Sequence, residues 1–93
     1  MIAVWDPAKA AANHRKPGIR FVEALAVLFD PLALGLPVDE VDDEERQVVV
    51  GRDGVDRTVV VVHVHRGPIV RLISARPATR TERRQYEEGI RFQ

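Results

Sequence analysis

The 93-residue chain has no cysteine, only two lysines, one tryptophan and one tyrosine. Without cysteine, neither a disulfide framework nor a thiolate zinc site can form. The sequence also has no apolar run near the ~20 residues of a membrane-spanning helix, and it reaches Asp6 without an apolar stretch of signal-peptide length. We therefore expect one domain, residues 1–93, of a cytoplasmic protein without a membrane segment.

The charges cancel in total but are unevenly distributed. Lys and Arg number 14 and Asp and Glu number 14, so the formal net charge is zero. Residues 39–45 hold six acids, whereas residues 66–91 hold seven arginines against three glutamates. A neutral sum thus combines an acidic segment with a basic C-terminal third. The preference for arginine fits phosphate recognition, and it equally fits a coding sequence rich in guanine and cytosine.

Hydrophobic spacing predicts two helices first. Asp6-Pro7 is an N-cap followed by proline at the first helical position, and this helix should end before Pro17-Gly18. A second helix, from about residue 20 to residue 30, is indicated by apolar residues at helical spacing: Phe21, Ala24, Leu25, Leu28 and Phe29.

From residue 46 the apolar period changes to two. Residues 47–50, 59–65 and 69–76 are β-branched runs separated by short connections, which predict antiparallel neighbours. Residues 32–38 could add an edge strand, and 59–65 should be central because both of its faces are apolar. A capping box, Thr79 with Glu82, opens a last helix. We predict an α+β fold: two N-terminal helices on one face of a three- to four-stranded antiparallel sheet, plus a C-terminal helix.

His63 and His65 share a strand face with Val59 and Val61. They could be metal ligands or a general acid or base. A catalytic zinc site uses three protein ligands and no carboxylate stands at a suitable spacing, so the pattern favours a half-buried sheet face over a metal site.

Arginines continue from the third predicted strand into the last helix. Arg71 and Arg76 lie on the strand, and Arg80, Arg83 and Arg84 lie on the helix near Tyr86. Arginine grips phosphate bidentately and an aromatic ring can stack on a base, as single-stranded RNA binding requires. The same helix could also be an ordinary solvent-exposed face with ion pairs to Glu87. Glu45 and Arg46, at the start of a strand, should point to opposite faces.

The chain resembles the BrnT family of type II toxin–antitoxin toxins over nearly its whole length. The resemblance rests on ordered motifs: Trp5-Asp6 with Lys9 and Asn13, Lys16 with Gly18, Phe21, Glu23-Ala24, Phe29-Asp30-Pro31, Glu45-Arg46 with Gly51, Arg71, Ile73-Ser74-Ala75-Arg76, Ala78, Arg80, Glu82-Arg83 and Tyr86. The family usually has Lys-His-Gly where this chain has Lys16-Pro17-Gly18. Any role of that histidine is therefore absent here or taken by His14.

The resemblance implies a RelE-like fold and metal-independent RNA cleavage, in which the 2′-hydroxyl attacks the neighbouring phosphate. Such a site needs a proton acceptor, cations for the charge on the phosphoryl oxygens and a proton donor. We expect Arg46, Arg71 and Arg76 to clamp the phosphate with Lys16 as an added cation. Glu45 or a histidine would be the base, and no metal or cofactor is expected. The residues expected to position RNA are Arg80, Arg83, Arg84 and Tyr86.

The family also implies a partner. We expect a BrnA-like ribbon-helix-helix antitoxin, a hetero-oligomer with it, and binding of promoter DNA only through that complex. The thin apolar side of the last helix would suit such a partner. The alternative is a non-catalytic module in which the same arginines only hold nucleic acid or an acidic partner.

Overall fold

The computed structural model describes residues 1–38 and 46–91, and for residues 90 and 91 the backbone only. The acidic segment 39–45, with Glu45, lies outside the described residues, as does Phe92. The described helices are α1, Pro7–Arg15; α2, Phe21–Ala24, which continues as a 3-10 helix, Leu25–Phe29; and α3, Arg80–Arg91. None of these helices is long and apolar enough to cross a membrane. The described strands are β1, Ile2–Val4; β2, Leu34–Leu36; β3, Arg46–Arg52; β4, Thr58–Arg66; and β5, Ile69–Pro77.

The five strands form one mixed sheet in the order β1-β5-β4-β3-β2. β4 is central, as its apolar character on both faces predicts. The pairs β2·β3, β3·β4 and β4·β5 are antiparallel, whereas β1 runs parallel to β5. The expected RelE-like sheet of three or four antiparallel strands is therefore corrected to five strands with one parallel pair. β1 has only three residues, too few to show a period of two in the sequence.

α1 and α2 pack on one face of the sheet, which we call the helical face. Its core includes Phe21 and Ala24 from α2, Val59 and Val61 from β4, and Leu72 from β5. The prediction of two N-terminal helices on one sheet face is thus confirmed.

Asn13 fixes α1 to β5. Its side-chain amide donates to the carbonyls of Ile19 and Ala75, both at 2.8 Å, and its Oδ1 accepts from the Ala75 N–H at 3.2 Å. The pairing of β1 with β5 reaches only Arg71. The carboxamide therefore satisfies backbone groups of β5 that lie beyond the end of β1.

The opposite face carries α3, and we call it the α3 face. Val50, Val60 and Tyr86 form its buried core, and Leu34, Leu36 and Val48 pack around them. α3 contacts the β3 end of this face. The C-terminal helix therefore covers the part of the sheet that holds Val50 and Val60.

The helix from residue 21 onward differs from the predicted amphipathic α-helix. After one α-helical turn it continues as a 3-10 helix, which has about three residues per turn. The buried residues Phe21, Ala24 and Val27 accordingly recur every third position. Phe29, expected to face the core, is 65% exposed because the stripe has rotated away from it.

Gly51 is required by a close approach of the chain. A Cβ atom there would lie 2.9 Å from Asp30 Oδ2 and 3.2 Å from Val27 Cγ1. We expect Gly51→Ala to lower the free energy of unfolding by about 1–3 kcal/mol, measured by urea titration. Gly35→Ala is the matched control on the neighbouring strand, since nothing lies within 4 Å of its Cβ position. Equal stability of the two variants would contradict this account.

Candidate RNA-binding face

A β-bulge places Arg71 and Arg76 on the same face of β5. Residues five apart on a regular strand point to opposite faces. Here Ser74 pairs with Val62 and Leu72 pairs with His63, so Ile73 is an extra residue on β5. Arg71 and Arg76 consequently stand opposite Val64 and Val60, which share the α3 face. Without this bulge, Arg71 and Arg76 would lie on opposite faces of β5.

Arg46 and Arg71 flank the central strand on the α3 face. Both are paired in register with Val64, one from β3 and one from β5. Strands lie about 4.8 Å apart, so the Cα atoms of these arginines are ~10 Å apart and their long side chains can reach one phosphate between them. Both residues are exposed. In the described part of the chain, no hydrogen bond or ion pair engages the Arg71 side chain.

Arg76 stands apart from these two and is already paired. Its position, four β4 residues away from Arg71, corresponds to ~13 Å along the strand. Its two terminal nitrogens donate to Glu82 Oε1 at 2.7 Å and Oε2 at 2.8 Å. These bonds outweigh desolvation and lower the pKa of Glu82 to about 2, and they raise the pKa of Arg76. Arg76 therefore connects β5 to the first turn of α3 through Glu82.

The predicted capping box is present in the same turn. The Thr79 N–H donates to Glu82 Oε1 at 2.9 Å, and the Glu82 N–H donates to Thr79 Oγ1 at 3.1 Å. Glu82 thus serves both the cap and Arg76, which fixes the direction in which α3 leaves the sheet.

Tyr86 is buried rather than displayed. Tyr86 is only 2% exposed, and its hydroxyl donates to Asp30 Oδ2 at 2.6 Å. Burial, with the bond to Asp30, raises the pKa of Tyr86 to about 12. The Arg52 guanidinium carbon lies 6.0 Å from the ring centroid. In this position the ring anchors α3 and has no face open for stacking on a base.

Asp30 joins the two sides of the sheet, a role that the sequence motif Phe29-Asp30-Pro31 did not disclose. Besides Tyr86, it accepts from the N–H groups of Leu32 at 2.9 Å and Arg52 at 3.0 Å. Burial alone would raise its pKa, but the bond from Tyr86 and the two backbone donors prevail and hold the pKa below its usual value. The carboxylate therefore remains charged and ties the end of the 3-10 helix to α3.

The helix arginines Arg80, Arg83 and Arg84 are exposed. No hydrogen bond or ion pair occupies their side chains among residues 1–38 and 46–91. Arg83 borders a cleft of about 290 Å³ that Arg52 also lines. The first turns of α3 therefore present cations at the end of the sheet where β5 finishes, which is the opposite end of β5 from Arg71.

Lys16 caps the C-terminus of α1 and belongs to the helical layer. Close to it, Arg20 Nε donates to His14 Nε2 at 3.2 Å beside a cleft of about 410 Å³. Arg71 points to the other face of the sheet. The structure therefore does not group Lys16 or His14 with the strand arginines.

His63 and His65 also lie on the helical face, in line with Val59 and Val61. Their ring centroids are 4.9 Å apart. His63 is 2% exposed, and its Nδ1 has no hydrogen-bond partner in the described structure. Burial, with the nearby His65, lowers the pKa of His63. Neither imidazole shares a face with Arg71, and Glu45, the other predicted base, lies outside the described residues.

The buried His63 predicts a specific pH dependence of stability. Its folded pKa lies below the unfolded value of about 6.5, so below that pH the unfolded chain binds a proton that the folded chain resists. The contribution of neutral His63 to the free energy of unfolding is therefore fully present above pH 6.5 and decreases as the pH falls below that value. We expect His63→Leu to weaken this fall, compared by urea titration at pH 7.5 and 5.5. His14→Gln is the control and should retain it. Identical pH dependence of His63→Leu and the parent would contradict the assignment.

Ser74, like Asp30, was not predicted from the sequence to belong to the site. It pairs with Val62 on the α3 face, between the positions of Arg71 and Arg76, and is half-buried. A hydroxyl there can donate to a phosphate oxygen. The only sequence signal was its place in the motif Ile73-Ser74-Ala75-Arg76.

Comparisons with known proteins identify the family and the fold. A family model described as "Ribonuclease toxin, BrnT, of type II toxin-antitoxin system" matches residues 5–82. Among solved structures, the 1.1 Å crystal structure of the Brucella abortus ribonuclease toxin BrnT superimposes with a TM-score of 0.68 and 23% identity. The match covers 86% of this chain and 100% of that one, and it shows a shared fold. No curated protein sequence matches the chain.

Proposed function

Because the chain belongs to the BrnT family of ribonuclease toxins of type II toxin–antitoxin systems, we propose that it is an endoribonuclease whose Arg46 and Arg71 contact the scissile phosphate. The observation that carries this proposal is the placement of both arginines on either side of Val64, on the face beside α3. Two exposed arginines on the strands that flank β4 can bind one phosphate between their guanidinium groups.

The proposed reaction is attack of the RNA 2′-hydroxyl oxygen on the neighbouring phosphorus. The new O–P bond closes a 2′,3′-cyclic phosphate while the bond to the 5′ oxygen breaks. The 2′-hydroxyl proton passes to a base and a proton is supplied to the leaving oxygen. Arg46 and Arg71 would stabilise the negative charge that gathers on the non-bridging oxygens, so no metal ion is required.

The remaining predicted residues take supporting roles in this proposal. Arg80, Arg83 and Arg84 would hold flanking phosphates along α3, and Arg76 would orient α3 through Glu82. The proposed base is Glu45, which adjoins Arg46 in sequence, or one of the histidines. Lys16 would be an added cation only for RNA that reaches the helical layer.

A type II toxin implies an antitoxin partner. We propose that this partner is a ribbon-helix-helix protein of the BrnA type, that it neutralises the toxin in the cytoplasm as a hetero-oligomer, and that only the complex binds promoter DNA. The alternative is a non-catalytic module of the same fold, because neither His63 nor His65 shares the face of Arg71.

Cleavage of RNA in EDTA tests the proposal. Purified toxin should cut single-stranded RNA with EDTA present and leave products ending in a 2′,3′-cyclic phosphate, detected by mass spectrometry. The matched substrate carries 2′-deoxyribose at the cleaved position and should stay intact. Binding of RNA without cleavage would favour the non-catalytic module, and activity that appears only when Mg²⁺ is restored would refute the metal-independent mechanism.

A further inference from the structure

Exposed apolar side chains lie beside Arg71 at the edge of the sheet. Ile2 pairs in register with Ile69, and Val4 pairs with Arg71. Ile2 is 58% exposed, and Val4 and Ile69 are each 40% exposed. All four point to the α3 face, because the alternate residues of β1 and β5 pack in the core of the helical face. We call Ile2, Val4, Ile69 and Arg71 the edge patch.

The edge patch has the composition of a protein-binding surface. β1 is one of the two edge strands of the described sheet, and an edge strand with apolar side chains can pair with another chain. RNA would use Arg71 but would gain little from three aliphatic side chains. A protein segment can bury the aliphatic groups and pair with the guanidinium at once.

Charge restricts which protein fits. β1 and β5 contain no Asp or Glu, whereas β5 carries Arg71 and Arg76. A second copy of this chain in a two-fold contact through β1 and β5 would bring a second Arg71 to the interface, and these strands would supply no carboxylate to pair with either arginine. An apolar segment that carries a carboxylate would complement the patch.

We propose that the antitoxin covers the edge patch with such a segment, its aliphatic side chains on Ile2, Val4 and Ile69 and its carboxylate on Arg71. This inference rests on the proposed function, because it explains neutralisation as occupation of the arginine that would hold the RNA phosphate. Antitoxin and RNA then exclude each other.

Single-cysteine protection tests the surface directly, because the chain has no cysteine of its own. Ile69→Cys places a thiol in the edge patch. Val22→Cys, at a residue 65% exposed on α2, is the matched control on the helical layer. Maleimide labelling is followed by mass spectrometry, with the toxin free and with the toxin saturated with its cognate antitoxin. We expect at least tenfold slower labelling of Ile69→Cys in the complex and no change for Val22→Cys.

Introduction of a negative charge into the edge patch provides the second measurement. Ile69→Asp and Val4→Asp should each weaken antitoxin binding at least tenfold by calorimetry, while Val22→Asp should not. Circular dichroism confirms that each variant is folded. RNA cleavage by the free Ile69→Asp variant is recorded separately, so failure of the ribonuclease proposal is distinguishable from failure of this one. Unchanged labelling of Ile69→Cys in the complex, or weakened binding by Val22→Asp alone, would overturn the proposed surface.

Discussion

Arg71→Ala should abolish growth arrest when the toxin is expressed in a bacterium and should lower RNA cleavage by a factor of about 10²–10³. The side chain is exposed and has no partner among the described residues. In the proposed reaction, its loss would remove a cation that stabilises the phosphoryl transition state, and it would remove almost nothing from the fold. The free energy of unfolding should therefore change by no more than about 0.5 kcal/mol.

Two further variants define what Arg71 contributes. Arg15→Ala, on the exposed side of α1, removes the same charge from the helical layer and should leave cleavage unchanged. Arg71→Lys keeps the charge but loses the bidentate fork, so its activity should fall between the parent and Arg71→Ala. Loss of cleavage accompanied by unfolding would make Arg71 structural, and full activity of Arg71→Ala would remove it from the site.

The sequence predicted the elements whose signals are local. Short-range spacing predicted the capping box of Thr79 and Glu82, and the structure confirms it. The apolar run of β4 predicted its central position, which is also confirmed. β1 was missed because three residues pair with β5 across more than 60 positions of chain. The parallel pairing depends on how the elements between β1 and β5 pack in three dimensions, and no local sequence pattern encodes that packing.

Two features of the candidate site were equally beyond the sequence. Arg71 and Arg76 share a face only because Ile73 is bulged, and a bulge has no reliable signature in a β-branched run. Arg76 looked like a free phosphate ligand, but the fold brings it to Glu82. Residue type gave the chemistry of each group, whereas tertiary packing decided which groups remained available.

Tyr86 illustrates this division most clearly, since it was expected to stack on RNA and is a core residue. Its ring packs with Val50 and Val60, and its hydroxyl bonds Asp30 across the sheet edge. The apolar side of α3 is thin in the sequence. In the structure, the Tyr86 ring, its bond to Asp30 and the contact between Arg76 and Glu82 connect α3 to the rest of the fold.

We expect Tyr86→Ala to lower the free energy of unfolding by about 3–5 kcal/mol, as removal of a fully buried aromatic ring does. Tyr86→Phe is the matched control, because it keeps the ring and removes only the hydroxyl. Asp30 Oδ2 would still accept from the Arg52 N–H, so the control should lose only about 1 kcal/mol. Urea titration gives both values, and hydrogen exchange of the α3 amides reports whether the helix detaches first. If Tyr86 served to stack on RNA, Tyr86→Ala would instead remain as stable as the parent and lose RNA affinity alone.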